Sequence, residues 1–349
     1  MSREKPRELR LALLGFGSVG RRFAELLSGP YGRALRAAGV RPRITGVATA
    51  RHGLATDPRG LPVRRCLALV RSGRSLESLH RGPRLSGGRD FIRNVPADVL
   101  LEITTLDPRT GQPALAHVRA ALRRGLHVVT ANKGPVAFGL ASLQSLARRH
   151  DRRFLHEGAV MDGTPVFNLV RRCLPAVRVL GFRGILNATT TRILSAMEAG
   201  STAAEALREA QAAGVAEADP ANDIEGWDAA VKGCALANAL MGARLTPSQV
   251  RRRGIGSITP ARVRAARRAG ERIRLVVRGA RTARGVRVTV APERIPLGDS
   301  LATAGADGTL LLETDLMGEV GVWEGAGGVD QTAYGLLSDL LTIAGPPEA

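Results

Sequence analysis

Leu9-Arg10-Leu11-Ala12-Leu13-Leu14, followed without a break by Gly15-Phe16-Gly17-Ser18-Val19-Gly20, decides the fold. The first six residues are a short apolar run, as a strand buried on both faces requires. Phe23, Leu26 and Leu27 then recur at helical spacing. A strand, a GxGxxG turn and a helix in that order form a dinucleotide fingerprint. Its glycines permit a tight turn and let a pyrophosphate approach the helix N-terminus. Gly15, Phe16, Gly17, Ser18, Val19 and Gly20 are therefore candidate cofactor-binding residues.

Working outward, Arg43–Ala48 reads as a second strand, ending in Ala48-Thr49-Ala50-Arg51-His52. An NAD site usually places a carboxylate there for the ribose 2′-hydroxyl, whereas an arginine suits the 2′-phosphate of NADP. Arg51 thus favours NADP over NAD, although a merely solvated arginine would look the same. Residues 53–97 show no clear periodicity. Asp98–Ile103 and Leu126–Thr130 read as strands, joined by a helix from Pro113 to Gly125 with proline in its first turn and glycine past its end. Thr104 and Thr105, and the segment Thr130-Ala131-Asn132-Lys133, then emerge at the carboxyl edge of a parallel sheet, where ligands of open α/β sheets bind.

After about residue 152 strand-like stretches at Val177–Leu186, Arg272–Val277 and Val286–Val290 alternate with helices, including Ala203–Ala213 and one beginning near Glu225. The expected fold class is α/β: an N-terminal Rossmann-type parallel sheet plus a mixed α+β domain. Gly214–Pro220 reads as a loop, with Asn222 or Asp223 capping the helix that follows. Val322–Gly328 reads as a Gly-rich turn, and a last helix at Gln331–Ile343 is placed to return to the first domain.

The chain has 349 residues, of which 44% are hydrophobic and 23% charged, enough for two cored domains and unlike a disordered, collagenous or coiled-coil chain. No apolar run reaches the roughly 20 residues of a membrane span, and the N-terminus lacks the apolar stretch of a secretory signal. Three scattered cysteines, Cys66, Cys173 and Cys234, suit a reducing, cytoplasmic setting without a disulfide framework. The net charge of +20 is spread along the chain and only 3% of residues are aromatic, which speaks against nucleic acid as a partner.

Lysine usage says more than net charge. Lys5, Lys133 and Lys232 are the only lysines among 51 basic residues. Arginine keeps its proton at any working pH, whereas a lysine can lose it, so Lys133 and Lys232 are candidates for proton chemistry or, equally, for plain salt bridges. Asp228 and Lys232 are four apart on one helix face. Lys232 is the only charge in Ala229–Leu240, so this helix reads as largely buried, and its lysine needs a partner such as Asp228, Asp223 or Glu217. The opposing pulls on such a lysine are not settled by sequence.

Taken together, GFGSVG at 15–20, GQPALAHVRAALRRGLHVVTANKGP at 111–135, HEGAVMDGTP at 156–165, GILNATTTRIL at 184–194 and EADPANDIEGWDAAVK at 217–232 resemble the homoserine dehydrogenases over nearly the whole chain. The resemblance implies a nucleotide-binding domain at 1–152, a substrate and dimerisation domain at 153–324, and a helix within 325–349 that returns to the first. It implies interconversion of L-homoserine and L-aspartate 4-semialdehyde with NAD(P)H, on the route to threonine, methionine and isoleucine, in a homodimer.

By the same resemblance Lys232 is the catalytic proton donor and Lys133 stands beside cofactor and substrate. Glu217 and Asp228 hold substrate, and Asp223 is a nearby acid. Gly214 and Gly325 lie near the nicotinamide. Glu157, Val160, Asp162 and Thr164 align with a loop that binds a sodium ion, largely through backbone carbonyls. Met161-Asp162, Trp323-Glu324 and Ala188 depart from the family pattern, in which small residues, a Gly-Pro start to the turn and a glycine are usual. The chain ends about 20 residues after its Gly-rich turn, so a C-terminal ACT regulatory domain is not expected. A phosphorylating semialdehyde dehydrogenase would need an activated cysteine, and neither Cys173 nor Cys234 sits in such a context. A non-catalytic nucleotide binder is discouraged by two lysines and three acids at motif spacing.

Overall fold

The computed structural model describes residues 6–302, 308–325 and 327–345. Twelve strands among them make two six-stranded sheets. The first contains β1 (Arg7–Leu14), β2 (Val40–Ala48), β3 (Leu54–Thr56), β4 (Val99–Glu102), β5 (His127–Thr130) and β6 (Phe154–Leu155), in the order β3-β2-β1-β4-β5-β6. All neighbours are parallel except β3, which folds back antiparallel on β2. The apolar run of β1 has the reason read from sequence. Leu9, Leu11 and Leu13 enter one core with Phe23 and Leu27, and Ala12 and Leu14 enter another with Leu115, Val118 and Leu122.

The chain leaves β1 toward β2 on one side and reaches β4 on the other. The switch point of the sheet is therefore at the carboxyl ends of β1 and β4, where Gly15 and Ile103–Thr105 emerge. Residues 53–97, unread in the sequence, hold β3 and the helices Val63–Arg71 and Gly88–Asn94. Val63–Arg71 is helical because Cys66, Leu67 and Val70 share a buried face while its arginines stay outside.

The second sheet contains β7 (Val179–Ile185), β8 (Arg251–Arg252), β9 (Glu271–Thr282), β10 (Gly285–Pro296), β11 (Gly308–Thr314) and β12 (Glu319–Glu324), ordered β12-β11-β7-β9-β10-β8. It is antiparallel except where β8 runs along β10. Helix Trp227–Met241 packs against it through Gly233. A Cβ there would fall 2.7 Å from Val277 and 2.8 Å from Val288, so the helix can lie this close only with glycine. Asn238 of the same helix donates to the carbonyls of Val136 and Ala137 on helix Lys133–Arg149, which ties the second unit to the first.

Two sequence expectations are corrected. Asn222 and Asp223 belong to a separate short helix, Ala221–Ile224, and the helix after it is entered through Gly226 at φ 79°, a left-handed conformation that replaces a side-chain cap. Residues 322–324, read as part of a turn, extend β12 on β11, because Val320 and Val322 pair with Leu312 and Leu310 of its partner strand.

Helix Val329–Ala344 buries Ala333, Leu336, Leu337, Leu340 and Ile343 with Leu11, Leu13 and Phe23 of the first unit. Each such large side chain contributes about 1.5–3 kcal/mol. Arg22 pairs with Asp330 at 2.7 Å at the rim. Asp339, 1% exposed, accepts the Glu157 amide at 2.9 Å, and burial, with the Glu157 carboxylate adding to it, holds its carboxyl well above the usual range. A carboxyl raised by folding contributes stability at low pH and loses it as pH rises. Asp339→Asn keeps the acceptor without the titrating proton, so its urea midpoint is expected to equal or exceed the parent's in alkaline buffer. Asp339→Ala leaves the Glu157 amide buried and unpaired and is expected to cost about 1–3 kcal/mol. Equal midpoints for the alanine variant would contradict the role given to this bond.

Candidate active site

Four backbone devices bring the chemistry-bearing residues together. Asn132 caps helix Lys133–Arg149 by accepting from the Gly134 amide at 2.8 Å, and its Nδ2 donates to the Thr104 carbonyl at 3.0 Å. The loops after β4 and β5 are thereby fastened together, with Lys133 at the helix entrance. Asn187 caps helix Ala188–Ala199 in the same way, accepting from Thr190 at 2.8 Å. Gly226 aims the first turn of Trp227–Met241 at both. Gly163, at φ 87°, presses loop 156–164 against the C-terminal helix, where a Cβ would fall 2.6 Å from the Gln331 carbonyl.

Asp228 is the hub. Its Oδ1 accepts from Lys133 Nζ at 3.0 Å, and its Oδ2 lies 3.3 Å from Lys232 Nζ and accepts from Asn187 Nδ2 at 3.1 Å. The three ionised side chains are only 16–20% exposed. Burial opposes the charge on Asp228. The two ammonium groups and the hydrogen bonds from Lys133 and Asn187 outweigh it and hold the carboxyl far below the usual range. For Lys232 burial again opposes charge, and Asp228, Asp162 and Asp223 outweigh it, so its pKa is raised. The balance left open by the sequence falls on the side of the ammonium. Lys232 also donates to the Leu186 carbonyl at 2.6 Å, which helps hold its Nζ beside Asp228.

Asp223 joins through Asn187, which donates to it at 2.7 Å. Burial and the neighbouring Asp228 raise its carboxyl, against the pull of Asn187, Thr189 and Lys232. Glu217 and Gly214 are not drawn into this cluster. Both lie on the exposed loop after helix Ala203–Ala212, where Gln211 Nε2 holds the Glu217 carbonyl at 3.2 Å.

Loop 156–164 forms the opposite wall. The Glu157 carboxyl accepts from the Phe167 and Asn168 amides, at 2.9 Å each, and burial pushes it up to about 7 against them. This side chain is a brace for the loop. Met161 and Asp162 have φ of 51° and 44°, unusual for non-glycine residues, and Thr332 donates to Asp162 at 3.2 Å. Glu324, at the end of β12, is pushed up to about 7 by burial and then by Asp162, against Lys232 and Thr164. Gly325 follows it, beside the Trp323 ring. Among the described residues no group of three or more His, Cys, Asp or Glu could hold a metal.

On the other side of Lys133 is the Gly-rich cradle. A Cβ on Gly15 would fall 2.3 Å from the Ile103 carbonyl, and one on Gly20 2.8 Å from that of Gly15. These two glycines are required by the fold itself. Gly17 faces open space, with nothing within 4 Å. A dinucleotide phosphate can therefore approach the backbone at the entrance to helix Ser18–Ser28, which Ser18 and Val19 begin and against which Phe16 is buried. Arg51 is exposed in the turn after β2, and Thr104 and Thr105 follow β4 at the same edge, the Thr104 hydroxyl donating to buried Glu102.

Sequence reasoning singled out both lysines and the acids but not Asn187, which bridges Asp223 and Asp228. A polar residue between a strand and a Thr-rich helix start is an N-cap signal that could have marked it. Burial pushes the Cys234 thiol up to about 12 and that of Cys66 up to about 11, so neither is an activated nucleophile.

This arrangement has counterparts. Residues 15–157 match the family described as homoserine dehydrogenase, NAD binding domain, and residues 165–341 match homoserine dehydrogenase. The chain is 37% identical to an NAD(+)-dependent homoserine dehydrogenase of Pseudomonas canavaninivorans, covering 96% of each, and 34% identical to a homoserine dehydrogenase of Methanocaldococcus jannaschii, covering 95% of this chain and 98% of the other. A hyperthermophilic archaeal homoserine dehydrogenase solved in complex with NADPH superposes with a TM-score of 0.82 at 26% identity, covering 97% of this chain and 99% of that one. With family models matched over residues 15–157 and 165–341, and relatives 34–37% identical over nearly the whole of both chains, the chain belongs to the homoserine dehydrogenase family and is a nicotinamide-dependent oxidoreductase.

Proposed function

We propose that the protein interconverts L-homoserine and L-aspartate 4-semialdehyde, on the route to threonine, methionine and isoleucine, with Lys232 as the acid and base of the step. The observation that carries this reading is the hub. Asp228 binds two lysines in a mostly closed site at the mouth of a dinucleotide cradle. The cradle of Gly15, Gly17 and Gly20 fits a bound nicotinamide dinucleotide, which supplies or accepts the hydride. Toward the semialdehyde, Lys232 donates its proton to the carbonyl oxygen as that oxygen gains negative charge. Toward the aldehyde from homoserine, the same amine must first be neutral to take the hydroxyl proton. Lys133 holds Asp228 from the cofactor side and keeps positive charge beside the developing alkoxide. Asp228 and Asp223 offer carboxylates to the substrate ammonium. Glu217 and Gly214, on the exposed loop after helix Ala203–Ala212, are assigned to substrate and nicotinamide on the family resemblance, and Gly325 completes the nicotinamide side.

The domain division that goes with this reading is 1–152 for cofactor and 153–324 for substrate, with the last helix serving the first. In loop 156–164, the carbonyls of Glu157, Val160, Asp162 and Thr164 would hold a hard monovalent cation such as sodium. The positive φ of Met161 and Asp162 curls the backbone there. Such an ion would brace the loop, and no proton or hydride passes through it. A homodimer built on the second sheet accords with the exposed apolar side chains Leu297, Leu316, Met317 and Trp323. Free cysteines accord with a cytoplasmic setting, and no helix among the described residues is long and apolar enough to cross a membrane.

Lys232→Ala is expected to lower kcat for homoserine oxidation by about 10²–10⁴-fold while cofactor binding persists. Because the Lys232 pKa is raised, the parent's oxidation rate is expected to climb with pH into the alkaline range. A variant as fast as the parent would move the proton chemistry to Lys133 or water. NADP is the proposed partner over NAD, since Arg51 stands where a carboxylate would otherwise hold the ribose. Arg51→Ala is expected to lower kcat/KM about tenfold or more with NADP, the worth of a charge-assisted hydrogen bond, and to leave it unchanged with NAD. Equal losses with both would remove Arg51 from the 2′-phosphate site.

A further inference from the structure

Trp227 lies one residue before the hub, and two guanidinium groups sit over its indole. Arg252 Cζ is 3.9 Å from the ring centroid and Arg109 Cζ is 5.2 Å from it. Both lie within the range of a cation–π contact. The two arginines come from different units of the protein. Arg252 belongs to β8 and is fixed by its hydrogen bond to the Glu225 carbonyl and by packing of its stem beneath Gly226, whose Cβ would fall 3.5 Å from Arg252 Cγ. Arg109 belongs to the loop after β4. Asp107 shapes that loop, accepting from the Arg109 amide at 2.8 Å and from the Thr110 hydroxyl at 2.6 Å.

The loop is itself seated on the helix that carries Lys133. A Cβ on Gly134 would fall 3.0 Å from Gly111 Cα, and one on Gly111 would fall 2.7 Å from the Phe138 ring. Arg109 is therefore carried on the helix of Lys133, and Trp227 sits on the helix of Asp228, the two helices being tied farther along by Asn238. Two contacts cross the boundary side by side: Lys133 with Asp228 inside the site, and Arg109 with Trp227 at its rim. Asn238 fixes the helices away from the site, and at the site itself the Arg109–Trp227 contact is the one that flanks the 3.0 Å ion pair.

We infer that Arg109, Trp227 and Arg252 form a clasp between the two units that positions Asp228 between Lys133 and Lys232, with Trp227 and Arg109 as positioning residues for substrate. This rests on the hub being the reaction centre proposed above. Aromatic faces prefer guanidinium to water at a partly buried site, so the clasp adds direction where the ion pair supplies only attraction.

The test uses the fact that Trp227 and Trp323 are the only tryptophans. In a Trp323→Phe background the emission reports Trp227 alone, and kinetics are read separately in the native background. Arg109→Ala is expected to change Trp227 emission and to raise the homoserine KM about fivefold or more, with the cofactor KM within about twofold. Arg109→Lys, which retains a cation, is expected to recover at least half of both effects. Unchanged emission in Arg109→Ala would overturn the clasp. Changed emission with an unchanged homoserine KM would show a contact that positions nothing, and overturn the inference equally. Parallel rises in both KM values without rescue by lysine would mark a general loss of structure and do the same. A parent with no homoserine oxidation would sink the functional reading instead, and the emission of Arg109→Ala would still decide the clasp.

Discussion

The site depends on one carboxylate shared by two ammonium groups across a boundary. Asp228 is reached by Lys133 from the nucleotide-binding unit and by Lys232 from its own helix, and all three are mostly out of water. Burying any one of these charges alone would be costly. Together they offset one another, and Asn187 and the Leu186 carbonyl satisfy what remains. The consequence is an aspartate held as an anion and a lysine held as a cation, the charge state that the proposed proton donor needs before substrate arrives. Catalysis by such a group draws on position and charge already in place.

Around this hub the backbone does much of the arranging. Gly15 and Gly20 allow strand, turn and helix to meet where any side chain would strike a carbonyl, and Gly17 leaves the phosphate approach clear. Gly233 lets the lysine-bearing helix lie on the second sheet, and Gly163 seats the far wall on the returning C-terminal helix. These positions are demanded by contacts between elements distant in sequence. The same holds for Asp339, whose bond to the Glu157 amide joins residues 182 apart.

Much of this was legible in the sequence because it is local. The β1 run, the GxGxxG turn and the i,i+4 spacing of Asp228 and Lys232 are each contained in a few residues. The scarcity of lysine pointed at Lys133 and Lys232, and the structure brings them to one carboxylate. What stayed hidden depends on tertiary neighbours. Residues 53–97 form helices whose apolar faces are narrow and interrupted by arginine. The end of β12, Val322–Glu324, looked like a turn because glycines follow it at 325, 327 and 328, and its pairing with β11 shows only in the fold. Asn187 was not singled out, because only the fold shows that it spans two acids. The sign of the Lys232 shift required knowing which carboxylates surround it, and Asp162 reaches it from a loop 70 residues earlier.

The charge state of Lys232 is the central claim, and the chain is well suited to measuring it. With only Lys5, Lys133 and Lys232 present, side-chain amine resonances of a ¹³C,¹⁵N-lysine-labelled sample can be assigned by single substitutions and followed with pH. Lys232 is expected to keep its proton beyond the ordinary lysine range, about 10.4, and Asp228→Asn to lower its proton affinity by about tenfold or more. A Lys232 that is neutral near pH 7, or one whose titration ignores Asp228, would contradict that claim.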